Sequence, residues 1–337
     1  MMLFRILLVC TLTLFSSSTL FAKAAPLSFD AELSNYNYDF PVKFFTLSSQ
    51  NMSLKMAYSY LKPNGNKPTV VLLHGKNFNA HYWTSTAKYL QSKGYGVLIP
   101  DQIGFGKSSK PKDYQFSFAA LANNTQQLIA SLNIKQPIVL GHSMGGMLAS
   151  RYSLMFPTQV NQLILLNPIG LENYLNYVQY KDTDFFFKNE LKKTPERVIA
   201  YQKKNYYDGK WNDKYEQLTH FISGQLQGPD HELIAWVNAK TYDMIFTQPV
   251  ITEFNKFKMP VSLIIGTRDR TGPGRNWKKE NIKYELGRYD ELGKAAADKI
   301  PQSQLIELED IGHLPHIEDF DRFKGALDKA LSFKANE

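Results

Sequence analysis

Three residue types that together perform nucleophilic catalysis stand far apart in this chain: a serine at 143, an aspartate at 269 and a histidine at 313. Ser143 lies in Gly-His-Ser-Met-Gly-Gly, flanked by Gly141 and Gly145. The apolar run PIVL leads in and MLASRY leads out, so the pattern falls where a strand hands over directly to a helix. Glycines that close together cost conformational entropy. A turn this tight strains the serine backbone, and the two glycines keep neighbouring backbones from clashing. The serine hydroxyl is thereby lifted above the edge of a sheet, at a helix N-terminus where free N–H groups favour developing negative charge. That is a nucleophile elbow.

A serine hydroxyl is a poor nucleophile without a base to take its proton, and the base needs an acid on its other ring nitrogen. Of the seven histidines, His313 follows Gly312 in EDIGHLPHIED, just past the last predicted strand and within reach of the sheet edge. His316 is its neighbour and rival, but is expected to turn toward the next helix. His74 and His142 flank strand ends and read as packing or hydrogen-bonding residues; His81, His220 and His231 have no supporting context. None of the seven has metal-ligand spacing, so no metal is expected. Asp269 ends the run VSLIIGTRD, where a strand end holds a carboxylate rigidly. Asp310 is too near His313 in sequence to face its ring.

These residues need a scaffold. VKFFTL and LKMAYSYL around SSQNMS read as an antiparallel hairpin. TVVLLHG (Thr69–Gly75) is a continuous apolar run suited to a strand buried on both faces, and GVLIPD (Gly96–Asp101), PIVLGHS, QLILLNP, VSLIIGTRD and SQLIELED read as further strands. Helical spacing separates them over Trp83–Lys93, Ser117–Leu132 with Ser117 as N-cap, Met144–Phe156, Glu291–Lys299 and Phe320–Phe333. Strands alternating with helices give an α/β fold, a mostly parallel sheet with helices on both faces. The rhythm breaks between Ile169 and Gln248, a stretch dense in aromatics with helical segments at Pro195–Lys204 and Tyr215–Leu226. DQIGFGKSS ends like a phosphate-binding loop, but Asp101 stands where its first glycine belongs, so nucleotide binding is not expected.

Composition narrows the class. The chain has 337 residues, 43% hydrophobic and 21% charged, a globular composition with ample core material. The net charge of +8 comes without a long basic run or zinc-finger spacing, which reads as a solvated surface and argues against nucleic acid as a partner. The N-terminus has Arg5, an apolar stretch over Ile6–Phe21 and Ala22-Lys23-Ala24, the pattern of a cleaved export signal. The expected mature chain starts near Ala25, lies in the periplasm or is secreted, and retains no membrane span. The single cysteine, Cys10, falls in the removed segment, so thiol chemistry is excluded.

The stretches LLHGKNFNAHYW, VLIPDQIGFGKSSKP, VLGHSMGGMLASRY, LILLNPIGL, LIIGTRD and IGHLPHIEDF together resemble the α/β-hydrolase superfamily, in its serine-nucleophile, cap-bearing branch. The resemblance implies an eight-stranded sheet, a Ser143–His313–Asp269 triad and an oxyanion hole from the backbone N–H groups of Met144 and Lys76, with Asn77 an alternative to Lys76. It divides the chain into a signal segment (1–24), a core (25–168), a helical cap inserted after strand six (169–248) and the rest of the core (249–337). It implies hydrolysis of an ester with an apolar or aromatic acyl group through an acyl-serine intermediate, with no cofactor. Phe185, Phe186, Tyr206, Tyr207 and Trp211 of the cap are expected to line the substrate pocket. Superfamily dehalogenases and epoxide hydrolases carry aspartate at the elbow, which Ser143 excludes. A carbon–carbon bond hydrolase of ring-cleavage products and a slow-turnover ligand receptor are the alternatives.

Overall fold

The computed structural model describes residues 27–334, so the expected signal segment over 1–24 lies outside the described residues. The eight strands are β1 (Lys43–Ser49), β2 (Met52–Leu61), β3 (Thr69–Leu73), β4 (Gly96–Pro100), β5 (Ile138–His142), β6 (Gln162–Leu166), β7 (Val261–Gly266) and β8 (Ser303–Leu308). They form one sheet in the order β1-β2-β4-β3-β5-β6-β7-β8. β2 alone runs opposite to the other strands, pairing antiparallel with β1 through a tight turn and with β4 on its other side. The turn residues Gln50 and Asn51 both have positive φ, as a two-residue hairpin of the favoured twist requires. From β3 to β8 every pairing is parallel.

The apolar runs split alternately between the two faces. Val71, Leu73, Val139, Leu163, Leu165, Leu263 and Ile265 enter one core, while Val70, Leu72, Ile138, Leu140, Ile164, Leu166 and Ile264 enter the other. Side chains alternate across a strand, so a continuous apolar run is what a strand covered on both faces needs. The helices of the core are α1 (Thr84–Ser92), α2 (Phe118–Ser131) and α3 (Met144–Met155), and later α9 (Tyr289–Ala297), α10 (Pro315–Glu318) and α11 (Phe320–Ser332). The Ser117 side chain accepts from the Ala120 N–H and caps α2, as the sequence predicts.

Between β6 and β7 the chain makes five helices: α4 (Thr183–Glu190), α5 (Pro195–Asn205), α6 (Asp213–Gln217), α7 (His220–Leu226) and α8 (His231–Thr247). The single helix expected over Tyr215–Leu226 is therefore two short ones, broken at Leu218 and Thr219. The longest, α8, buries Ile234, Ala235, Val237, Ala239, Thr241, Met244, Ile245 and Phe246. Such wide burial blurs the one-sided pattern by which a helix is recognised in sequence. Among the described residues no helix is long and apolar enough to cross a membrane.

The stretch before β1 straps the insertion to the sheet. The Phe29 N–H donates to the Gly224 carbonyl at 2.9 Å, the Ala31 N–H to the Asp230 carboxylate at 2.8 Å, and the Gln225 side-chain amide to the Ala31 carbonyl at 3.0 Å. Leu33 is fully buried, and the Tyr38 hydroxyl donates to Asp101 at 2.8 Å. Asp101 also accepts from the N–H groups of Ala80 and Lys107 at 2.7 and 2.8 Å. Its carboxylate fills the space that a Cβ on Gly106 would occupy. The loop after β4 is thus folded on itself around a carboxylate, which leaves no cradle for a phosphate.

Candidate active site

The loop ends after β5, β6, β7 and β8 meet at one edge of the sheet. Ser143 sits between β5 and α3 with φ 56° and ψ −122°, a conformation rarely adopted by a residue with a side chain. The turn is held because nothing larger than hydrogen fits beside it. A Cβ on Gly145 would overlap the Leu73 and His74 carbonyls, and one on Gly141 would overlap the Gly145 carbonyl.

From this turn a continuous hydrogen-bonded line runs inward. Ser143 Oγ is 3.0 Å from His313 Nε2, and His313 Nδ1 is 2.6 Å from Asp269 Oδ2. With the Nδ1 proton donated to the carboxylate, Nε2 is left to accept from the serine hydroxyl. His313 and Asp269 are fully buried, and Ser143 keeps only 7% of its surface exposed. The Asn167 side chain donates to Asp269 Oδ2 at 2.9 Å and the Thr271 N–H to Oδ1 at 2.8 Å. Burial alone would push the Asp269 carboxyl up, but His313, Asn167 and Thr271 together hold it below the usual carboxylate value, so it stays ionised. Asn167 is fixed in turn, because its Oδ1 accepts from the Gly266 N–H at 2.9 Å.

The rivals lie elsewhere. Asp310 is exposed and pairs with Arg268 Nε at 3.3 Å. His316 is stacked on Trp83, with ring centroids 4.5 Å apart, and burial keeps its ring neutral. His74 accepts from the Gln102 N–H at 3.1 Å, a hydrogen-bonding role as its strand-end position suggests. His142 belongs to a relay that the sequence does not reveal. The Gly75 N–H donates to the Tyr82 hydroxyl at 2.9 Å, that hydroxyl lies 3.0 Å from His142 Nδ1, and His142 Nε2 lies 2.8 Å from the His313 carbonyl. Burial holds His142 well below its usual pKa, so one ring nitrogen accepts and the other donates. The relay ties the loop after β3 to the loop that carries His313.

Met144 opens α3, so its N–H has no partner within the helix. Lys76 and Asn77 follow β3 and line the same cavity as Ser143. Gly75 cannot donate to a ligand there, because Tyr82 already takes its N–H. The cavity measures about 600 Å³. Phe185, Phe186 and Tyr206 line it, joined by Tyr201, Tyr242, Phe246 and Trp277, which sequence reasoning did not single out. Tyr206 stacks on His313 with centroids 4.7 Å apart and accepts from the Asn77 side chain at 3.0 Å.

Two expected pocket residues are displaced from it. Tyr207 is fully buried face to face on Tyr215, centroids 3.7 Å apart, and Trp211 packs edge-on to that pair. Tyr206 and Tyr207 are consecutive residues just past the end of α5, and their side chains leave the chain in different directions. With Tyr206 turned onto His313, Tyr207 is directed into the packing between insertion and core. Among the described residues no three His, Cys, Asp or Glu side chains gather as a metal site.

The family model for the alpha/beta hydrolase fold matches residues 68–320, a range that contains all three residues of the hydrogen-bonded line. The chain belongs to the α/β-hydrolase family. A probable hydrolytic enzyme from Pseudomonas aeruginosa PAO1 superposes with a TM-score of 0.89 at 41% identity, covering 91% of this chain and 99% of that one. Lipase 1 of Psychrobacter immobilis is 26% identical over 84% of this chain and 81% of its own length. An uncharacterized protein of Mycobacterium tuberculosis is 34% identical over 114 residues, so the match spans about a third of that relative's length. This α/β-hydrolase thus presents the family's sheet and a hydrogen-bonded serine, histidine and aspartate at its edge.

Proposed function

We propose that the protein is a serine esterase that cleaves a carboxylic ester through an acyl-serine intermediate. The observation that carries the reading is the unbroken line from Ser143 through His313 to Asp269. His313 Nε2 takes the hydroxyl proton as Oγ attacks the ester carbonyl. The carbonyl oxygen becomes an oxyanion, which the N–H groups of Met144 and Lys76 stabilise. His313 then returns the proton to the departing alcohol, leaving the acyl group on Ser143. A water molecule, deprotonated by the same imidazole, releases the acid. Asp269 stays ionised throughout and stabilises the imidazolium. The name lipase on the Psychrobacter relative supports ester chemistry. We also propose that the protein is exported. N-terminal sequencing from the native host should find a start near Ala25; an intact Met1 on soluble cytoplasmic protein would refute export.

The insertion acts as a cap that selects the acyl group. Each methylene buried against its aromatic wall is worth up to about 0.8 kcal/mol, roughly fourfold in kcat/KM per carbon. A panel of 4-nitrophenyl esters of increasing acyl length, run beside ring-cleavage products, tests the esterase reading and the cap together. Phe185→Ala and Phe186→Ala should shift the preferred chain length while labelling by a small organophosphate stays near wild type. Trp211→Ala should lower stability without moving the preference, because Trp211 lies outside the cavity. Equal loss across all substrates and labelling in the phenylalanine variants would reduce those residues to packing. Turnover of ring-cleavage products alone would replace the ester by a carbon–carbon bond, and binding without turnover would make the protein a receptor.

A further inference from the structure

The cavity over Ser143 is not uniformly apolar. Beside its aromatic wall it carries Lys76, Lys193, Lys204 and Arg275 against one carboxylate, Glu190. Glu190 is buried and already committed: Oε1 lies 2.5 Å from Lys193 Nζ, and Oε2 accepts from the Asn238 side chain at 3.3 Å. Lys76 has no such partner. Its Nζ donates to the Asn238 carbonyl at 3.0 Å and to the Thr241 hydroxyl at 2.7 Å, and lies 4.1 Å from the centre of the Tyr242 ring. These acceptors are neutral and use two of the three ammonium protons. Among the described residues no carboxylate oxygen comes within ion-pairing distance of it.

An ammonium enclosed without a counter-ion is costly unless something supplies the opposite charge. The cost is visible in Lys76 itself. Burial pushes its pKa down to about 7; Glu190 opposes the shift and Lys193 adds to it. The position is specific. Gly75, next in the chain, is packed against Ser143, where an added Cβ would lie 3.1 Å from the serine Cβ. Lys76, Glu190, Lys193, Tyr201 and Tyr242 also border a second, smaller chamber of about 260 Å³, walled by Phe105, Phe221, Ile222, Leu226 and Ile234. The charged group therefore stands at the junction of a chamber open to the nucleophile and a mostly apolar one behind it, which Lys110 and Arg197 also border.

We propose that the natural substrate is an anionic ester, bearing a carboxylate that binds at Lys76 and Lys193. The inference rests on the esterase reading and narrows its substrate class. The aromatic wall holds the apolar remainder of the substrate.

The test compares matched ester pairs. One arm takes 4-nitrophenyl half-esters of adipic, pimelic and suberic acids, each beside its methyl ester, which places the anion on the acyl side. The other takes 4-acetoxybenzoate beside methyl 4-acetoxybenzoate, which places it on the alcohol side. In at least one arm the anionic member should have a kcat/KM about tenfold or more above its neutral partner, the scale of a hydrogen bond to a charged group. Lys76→Met keeps the backbone N–H and should bring that ratio to near one. Glu190→Gln removes the internal competitor and should raise it. The ratio is insensitive to the fraction of folded protein. A ratio at or below one in both arms, or one that survives Lys76→Met, overturns the proposal and leaves the esterase reading standing. If no ester is turned over, the esterase reading fails, and calorimetry with monomethyl adipate decides the anion site alone. Binding that Lys76→Met weakens about tenfold sustains the site; no binding at millimolar concentration ends it.

Discussion

Ser143→Ala is expected to fold as the wild type and to lose about a millionfold in kcat, the scale on which removal of a triad nucleophile registers. The size follows from the geometry. Ser143 Oγ, the nucleophile of the proposed mechanism, stands 3.0 Å from His313 Nε2, and among the described residues no other hydroxyl occupies that position. Alanine also suits the fold, because the strained turn is held by the absence of side chains at Gly141 and Gly145 rather than by the serine hydroxyl. Circular dichroism and the melting temperature should stay near wild type, while hydrolysis of 4-nitrophenyl esters and organophosphate labelling disappear. Retention of more than about a hundredth of the activity would move the nucleophile elsewhere.

Asp269→Asn is expected to slow turnover by roughly ten-thousandfold while the fold survives, because an amide that donates to His313 Nδ1 forces the proton onto Nε2, the nitrogen that must accept from Ser143. The surroundings amplify the effect. Asn167 and the Thr271 N–H already donate to the Asp269 carboxylate, so the new amide meets two donors with a donor of its own. Asp310→Asn should change turnover little, since it trades only an exposed contact with Arg268. The melting temperatures of both variants separate a tautomer effect from unfolding. A large loss in Asp310→Asn with little in Asp269→Asn would reassign the acid.

The legibility of this chain depended on whether a residue's role is local. Gly141, Ser143 and Gly145 could be read because strand, turn and helix all lie within a few residues of them. The core strands could be read because burial on both faces leaves a continuous apolar run. Asn167 and Tyr82 carry no such signal. Each acts on a group brought to it by folding: Asn167 meets an aspartate 102 residues away, and Tyr82 a histidine 60 residues away. The pocket was half legible. Aromatic density marked the insertion as the wall, but whether Tyr206 or Tyr207 faces His313 depends on how the chain leaves α5, which neighbouring tyrosines do not fix. Lys76 was expected for its backbone N–H alone; the charge on its side chain acquires meaning only once Asn238 and Thr241 of α8 lie beside it.

The strap before β1 sets an order of events during synthesis. Its bond from Ala31 to Asp230 spans 199 residues, and contacts so distant in sequence form slowly because a long loop must close first. The strap leaves the ribosome early, yet its docking partners, α7 and Asp230, emerge some two hundred residues later. Until then the Phe29 ring, which packs at Gly224, has no surface to cover. Closure of the strap is therefore a late step of folding. A nascent chain interrupted before α7 would hold exposed apolar side chains at its N-terminal end, the kind of surface that chaperones and proteases engage. Pulse-labelled folding followed by proteolysis should show the strap protected only after the full insertion has been made.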